Sequence, residues 1–490
     1  MRLLLSAASL GLAAQAAFGQ GVATPSRTGL SLEEAIALAR RNNPGYLTEV
    51  NARRTADAQT RATYGALLPR SSASFGTSFQ QGGTQFINGI PFSGASDSRT
   101  SSYNIGLTYF INVAAVVAPR LQRANREATE ADISSNAELL RSTITQAYLG
   151  ALQTEALASL QDTLVLAAQL QFDLASARMA VGSATNLDVK RAEVALSTAQ
   201  INALKARNDA EISKVTLYQN IGADEPRGVR LTTTFPVATP TFTLDTVLGL
   251  ARAVNPALGA ARARERSAGL QIRAQQGQYT PSLSLSTGWG GNSFQYNNSD
   301  FLVAQGLASA ASSRAGCLQQ DSIRTRVGLD AVSCGSGTLT PDQQQAIRDN
   351  NNNWPFKFRR NPLGVSASLS IPIFDGFSRE NSVQQAVIGR DNAQYAVRTQ
   401  ELQITAAVTQ NFLQLTLASK TIGLQEQNAE QARQELQFAE EKYRVGQVTF
   451  LDVITARSTY EQALINRLNS IYDYHKAFAA LESAVGRPLR

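Results

Sequence analysis

The chain has 490 residues, 43% hydrophobic, with 45 lysines and arginines against 38 aspartates and glutamates, two cysteines and one histidine. Its net charge of +7 is spread along the chain with no basic block, which argues against a nucleic-acid surface. One histidine, His475, and two cysteines cannot assemble a typical metal cluster, and no nucleophile–base set or phosphate loop is present, so neither an enzyme nor a cofactor is expected.

In chain order, Arg2, the apolar run Leu3 to Ala14 and small residues through Ala17 and Gly19 read as an export signal over residues 1–19. That run is too short to span a bilayer, and no later segment approaches the roughly 20 apolar residues of a transmembrane helix. LEEAIALARRNNP (Leu32 to Pro44) then returns as LDTVLGLARAVNP (Leu244 to Pro256), an offset of 212 that also carries Pro69 onto Pro281. VGSATNLDV (Val181 to Val189) returns as VGQVTFLDV (Val445 to Val453) at an offset of 264, which also relates Gly222 to Gly486. Two collinear blocks per half mean duplication with one insertion in the second copy. The repeats are expected over residues 20–228 and 229–490, with a long outer loop at about 290–362.

Asn43 and Pro44 open a helix of about 25 residues as cap and first helical position. Ala114 to Val181 and Ser378 to Val445 are rich in helix formers and predict rods of about 65 residues, roughly 100 Å long. Gly182 and Gly446 suit left-handed C-terminal caps. Thr185-x-x-Asp188 and Thr449-x-x-Asp452 then restart helices as capping boxes. The returning helices, Leu187 to Ile221 and Leu451 to Val485, complete two tight hairpins. A stripe from Val189 through Ala192, Leu196, Ala199, Ala203, Ala206 and Ala210 to Leu217 suits close lateral packing, beside a second stripe of Leu187, Val194, Ile201 and Val215.

Between the helical blocks, residues 73–79, 103–111, 283–289 and 363–371 alternate apolar with small or polar residues. This period fits outer-membrane barrel strands, and also a soluble amphipathic sheet. Four strands cannot close a barrel, and an open edge in lipid is prohibitive, so strands in lipid require oligomerisation. Cys317 and Cys334 both fall in the second-half insertion, where an exported chain is expected to form a local disulfide.

The ordered set of paired Asn-Pro openings, paired VG-x-x-T-x-x-DV hairpins, strand pairs and IPIFDGF (Ile371 to Phe377) resembles the TolC family of outer-membrane channels across essentially the whole mature length. The resemblance implies a mixed membrane protein, an α-helical barrel continued by a transmembrane β-barrel with four strands per chain, assembled as a homotrimer. It implies an outer-membrane location extending into the periplasm. The implied function is the exit duct of a tripartite export system, serving an inner-membrane pump of RND or ABC type through a periplasmic adaptor. Small-molecule efflux is the expectation, with type I protein secretion as the alternative and a non-conducting coiled-coil spacer as the reading from another class. By the resemblance Asp452 and Asp188 take the pore-constricting positions and Tyr443 helps hold the entrance closed. Gly182, Thr185, Gly446 and Thr449 shape the tips where the adaptor docks. Capping alone also accounts for both aspartates. The chain departs from some members at Val448, where they place arginine, and at Thr455, where they place a second acid.

Overall fold

The structure, a computed structural model, describes residues 29–83, 85–87, 90–92, 97–226, 228–237 and 240–489; the expected export signal lies outside them. The first half runs β1 (Gly29–Leu30), α1 (Leu32–Asn42), α2 (Pro44–Gly65), β2 (Arg70–Gln80), β3 (Gln85–Ile87), β4 (Ile90–Phe92), β5 (Ser98–Ile111), α3 (Val113–Ala180) and α4 (Asn186–Ile221). The second begins with β6 (Arg230–Leu231), α5 (Leu244–Val254), α6 (Pro256–Gln276), β7 (Ser282–Tyr296), α7 (Asp300–Arg326) and α8 (Pro341–Asn351). It ends with β8 (Arg359–Arg360), β9 (Gly364–Ser370), α9 (Ser378–Arg444) and α10 (Phe450–Val485). Contacts divide the chain into two compact units, each drawing on both sequence repeats.

One unit comprises residues up to Ala58, Arg123–Gly269 and the chain from Val387 onward. Its two main cores are copies of each other. Leu140, Ile144, Leu217 and Ile221 of one core precede Ile404, Val408, Leu481 and Val485 of the other by 264 residues. Ala35 and Ala39 precede Val247 and Ala251 by 212. Both sequence offsets therefore meet in one packing unit, built twice.

The corner of each copy has a physical cause. Asn43 caps α2 by accepting the Tyr46 N–H at 2.9 Å, while its Nδ2 donates to the Asn220 carbonyl at 2.8 Å. Asn255 repeats this with Ala257 N–H at 2.9 Å and the Ala484 carbonyl at 2.9 Å. Gly222 and Gly486 end α4 and α10 at φ 80° and 87°, where a side chain would be strained. A Cβ on Gly222 would also meet Asn42 O at 2.7 Å, and one on Gly486 would meet Pro256 Cδ at 2.5 Å.

The other unit, Gln59–Gln122 with Leu270–Ala386, holds an antiparallel sheet in the order β2-β5-β7-β9, with β8 also on β7. The alternation sorts its faces. Phe75, Tyr103, Ile105, Leu107, Trp289, Val365 and Leu369 share one face, and Ser72, Ser74, Asn104, Ser286, Ser366 and Ser368 the other. Both outer strands, β2 and β9, are exposed along their whole length.

Three features depart from the sequence reading. The third strand runs on to Tyr296, paired with β5 as far as Ser98, and passes through Gly290 and Gly291, where Cβ atoms would meet Tyr103 and Arg359 backbone or ring atoms within 2.9 Å. The insertion, read as a long outer loop at about 290–362, contains helices α7 and α8. Alanine, leucine, glutamine and arginine favour α7, and Thr340 caps α8 with Pro341 at its first position. Short strands β1 and β6 pair in parallel, a contact the alternation did not foretell. In the unit that holds the sheet, Cys317 and Cys334 are joined, with Cα atoms 5.7 Å apart.

Candidate functional site

The two hairpin tips are stopped and restarted by the same chemistry. Gly182 stands at φ 75°, donating to Met179 O at 2.9 Å while Ser183 N–H reaches Arg178 O at 2.8 Å. Gly446 stands at φ 76°, donating to Tyr443 O at 3.1 Å while Gln447 N–H reaches Lys442 O at 2.9 Å. Both are Schellman terminations, in which glycine tolerates the left-handed backbone.

Each restart is a reciprocal capping box. Asp188 Oδ2 accepts from Thr185 N at 3.0 Å and Thr185 Oγ1 at 2.8 Å, and Asp188 N–H returns a bond at 3.2 Å. Asp452 Oδ2 accepts from Thr449 N at 2.7 Å and Thr449 Oγ1 at 2.8 Å, and Asp452 N–H returns one at 3.4 Å. The Thr449 side-chain bond, then its backbone bond, hold the Asp452 carboxyl below its ordinary range. It is exposed, and these bonds favour its ionised form.

The tips pack on one another through an unequal pair. Phe450, only 3% exposed, lies in a cluster with Ala175, Val189 and Ala192, flanked by Phe172, Tyr443 and Ile454. Tyr443 sits 5.5 Å from the Phe450 ring, and the Arg178 guanidinium lies 5.1 Å above Tyr443. A cleft of about 400 Å³ opens beside them, lined by Arg178, Glu440, Glu441, Tyr443 and Arg444 among others. Arg457 pairs with Glu440 at 2.7 Å across the second hairpin.

Tyr443 thus joins the packed tip, whereas Asp188 and Asp452 stand at the helix starts. The Cys317–Cys334 pair belongs to the other unit. Sequence reasoning passed over Phe450 and Arg178. At an offset of 264, Phe450 stands opposite Asn186 and Tyr443 opposite Met179, so a residue-by-residue comparison of the copies exposes the asymmetric positions.

A duplicated helical unit with paired capped tips, together with a sheet apolar on one face and open at both edges, defines an outer-membrane channel subunit. The sequence model of the outer membrane efflux protein family matches residues 35–223 and 343–487, and the chain belongs to that family. It is 24% identical over 372 residues to the outer membrane efflux protein BepC of Brucella suis, covering 74% of this chain and 68% of BepC. Its fold is similar to that of CusC, with a TM-score of 0.70 at 16% identity, covering 93% of this chain and 92% of that one. The Campylobacter jejuni CmeC outer membrane channel superposes with a TM-score of 0.68 at 15% identity, covering 93% and 85%.

Proposed function

We propose that three copies of this chain form the outer-membrane duct of a tripartite efflux system, passing small molecules from an inner-membrane pump and its periplasmic adaptor to the outside. The observation that carries this reading is the open sheet. Among the described residues, strands β2 and β9 each have one neighbour, and lipid offers no partner for their free backbone groups. Pairing β2 of one copy with β9 of the next closes the sheet, and three copies supply twelve strands. No helix among the described residues is long and apolar enough to cross a membrane.

The helical unit supports lateral assembly. The stripe containing Val189, Ala192, Ala203, Ala206, Ala210 and Leu217 is buried within the chain, while Leu187, Val194, Ile201 and Val215 of the adjacent stripe are exposed. A neighbouring copy would cover that second seam. The sequence halves serve as two wall units of one subunit, divided near residue 228.

At the tips, the contacts of Tyr443 with Arg178 and with Phe450 hold the hairpins together, and Asp452, with Asp188 as its counterpart, supplies carboxylates to the entrance. Gly182, Thr185, Gly446 and Thr449 give the tips their shape for adaptor docking. Three Asp452 carboxylates near one axis would raise one another's pKa, an effect opposed by the Thr449 bonds. The ring would favour cations. Single-channel recording in planar bilayers tests this: wild type conducts and prefers potassium over chloride, and Asp452→Ala loses most of that preference. Unchanged selectivity in Asp452→Ala would remove Asp452 from the constriction, and absence of any conductance would overturn the duct itself.

A further inference from the structure

The apolar face of the sheet carries an unexpected strap at its loop end. Residues Trp354–Phe358 lie against it. Trp354 N–H donates to Gln295 Oε1 at 3.1 Å, its Nε1–H donates to Thr77 Oγ1 at 3.3 Å, and Ser293 Oγ donates to Pro355 O at 3.2 Å. Phe358 meets Tyr103 edge-on at 4.9 Å, and Phe356 stacks at 6.5 Å from Phe75. The sheet is notched to receive the strap: Ser101 and Ser293 are cross-strand partners, 0% and 1% exposed. Asn351 anchors the approach by exchanging two bonds with the Tyr296 main chain, at 2.8 and 2.9 Å.

Register sets the height of each side chain on this face. Leu283 and Leu369 share the row nearest the helices, Ile105 and Trp289 a later one, then Tyr103 with Gly291 and Arg360, and finally Arg99 with Gln295. Successive same-face rows are about 6.8 Å apart along a strand. The apolar rows up to Trp289 and Tyr103 therefore span most of the roughly 25 Å apolar band of an outer-membrane barrel, with aromatics at its edge. Arg360 and Arg99 come at and beyond that edge, and Lys357 lies exposed on the strap. Arg99 rests 5.3 Å over the Trp354 ring. Arg99, Lys357 and Arg360 pair with no carboxylate among the described residues. Asp97, the nearest acid along β5, accepts the Gly82 N–H at 2.7 Å. Arg359, one residue from Arg360, falls on the small polar face and is no part of this surface.

We infer that the strap, with Arg99, Lys357 and Arg360, is a docking surface for the phosphate-bearing headgroup of a glycolipid in the outer leaflet. Unpaired cations set among aromatics at the margin of an apolar band match an anionic headgroup above acyl chains. The aromatic strap contacts the lipid body and the guanidinium and ammonium groups contact its phosphates. The inference rests on the sheet's lying in the outer membrane, as proposed above.

The test is binding of diphosphoryl lipid A to the full-length assembly in neutral detergent micelles, with the same acylated disaccharide lacking its phosphates and inorganic phosphate as separate arms. The triple variant Arg99→Gln, Lys357→Gln, Arg360→Gln should lose about 10- to 100-fold in affinity. The matching variant Arg99→Lys, Arg360→Lys, with Lys357 kept, should stay within about threefold of wild type. Equal affinity of the glutamine variant and wild type would overturn the inference. So would equal affinity of wild type for the phosphate-free lipid, or competition by millimolar inorganic phosphate, which would mark an ion site only. Conductance of the same proteins reconstituted in planar bilayers separates the two readings. A glutamine variant that conducts normally and binds lipid A undiminished sinks the docking surface alone, whereas a wild type that never conducts sinks the duct and this surface with it.

Discussion

Tyr148 is completely buried, and its hydroxyl ties three backbone groups at the junction between the repeats. It donates to Leu30 O at 2.7 Å and accepts the Thr232 and Thr233 N–H groups at 3.2 and 3.1 Å. Its counterpart 264 residues on is Phe412, which packs against the second core. Tyr148→Phe should therefore destabilise the protein by about 1–3 kcal/mol, because it strands buried polar groups. Thermal melting of the purified protein reads this, and an unchanged midpoint would show the hydroxyl to be idle. Glu461 makes a prediction of opposite sign. Burial raises its pKa above the ordinary 4.5, and Arg457 opposes that shift only in part. Ionised Glu461 thus weakens the fold above its folded-state pKa, and the penalty fades as pH falls through that value toward the unfolded one. Glu461→Gln should melt higher than wild type at pH 8, with the gain shrinking toward pH 4. A gain independent of pH would contradict the assignment to ionisation.

At the scale of elements, the capped corners and tips govern how the helices stop and start. Gly486→Ala forces a side chain into a left-handed conformation and against Pro256, so it should cost at least about 1 kcal/mol, and Gly222→Ala likewise. Gly182→Ala, with the same backbone but open space around it, should cost less. A larger loss at Gly182 than at Gly486, measured by chemical denaturation, would refute the close-packing argument. Thr449→Ala should remove about 1 kcal/mol of capping and fray the start of α10, visible as faster amide exchange at Asp452 and Val453. These elements were legible in the sequence because local chemistry decides them: Asn-Pro starts, glycine stops and Thr-x-x-Asp restarts act within a few residues. The strap and the Phe450 plug were not legible. Trp354 and Phe356 find Thr77 and Phe75 only after four strands align, and periodicity says nothing about a segment that packs across strands. The helices of the insertion carried local signals, at Thr340 and Pro341, that its Asn-rich run at 350–353 obscured.

For the whole molecule, one fact recurs in both units: a single chain leaves its assembly surfaces open. Among the described residues the sheet has two free edges, and α4 keeps an exposed apolar stripe beside its buried one. Duplication explains why the wall can be extended by identical copies, since each half already packs its own helices by the same core positions. Membership of the outer membrane efflux protein family agrees with a channel completed between subunits. The most direct measurement is oxidative cross-linking of cysteine pairs scanned between β2 and β9 in membranes, with positions such as Ser74→Cys and Ser368→Cys. The account predicts a register at which non-reducing gels show covalent products ending at three chains. Products that end at two chains, or no product at any register in correctly inserted protein, would contradict it.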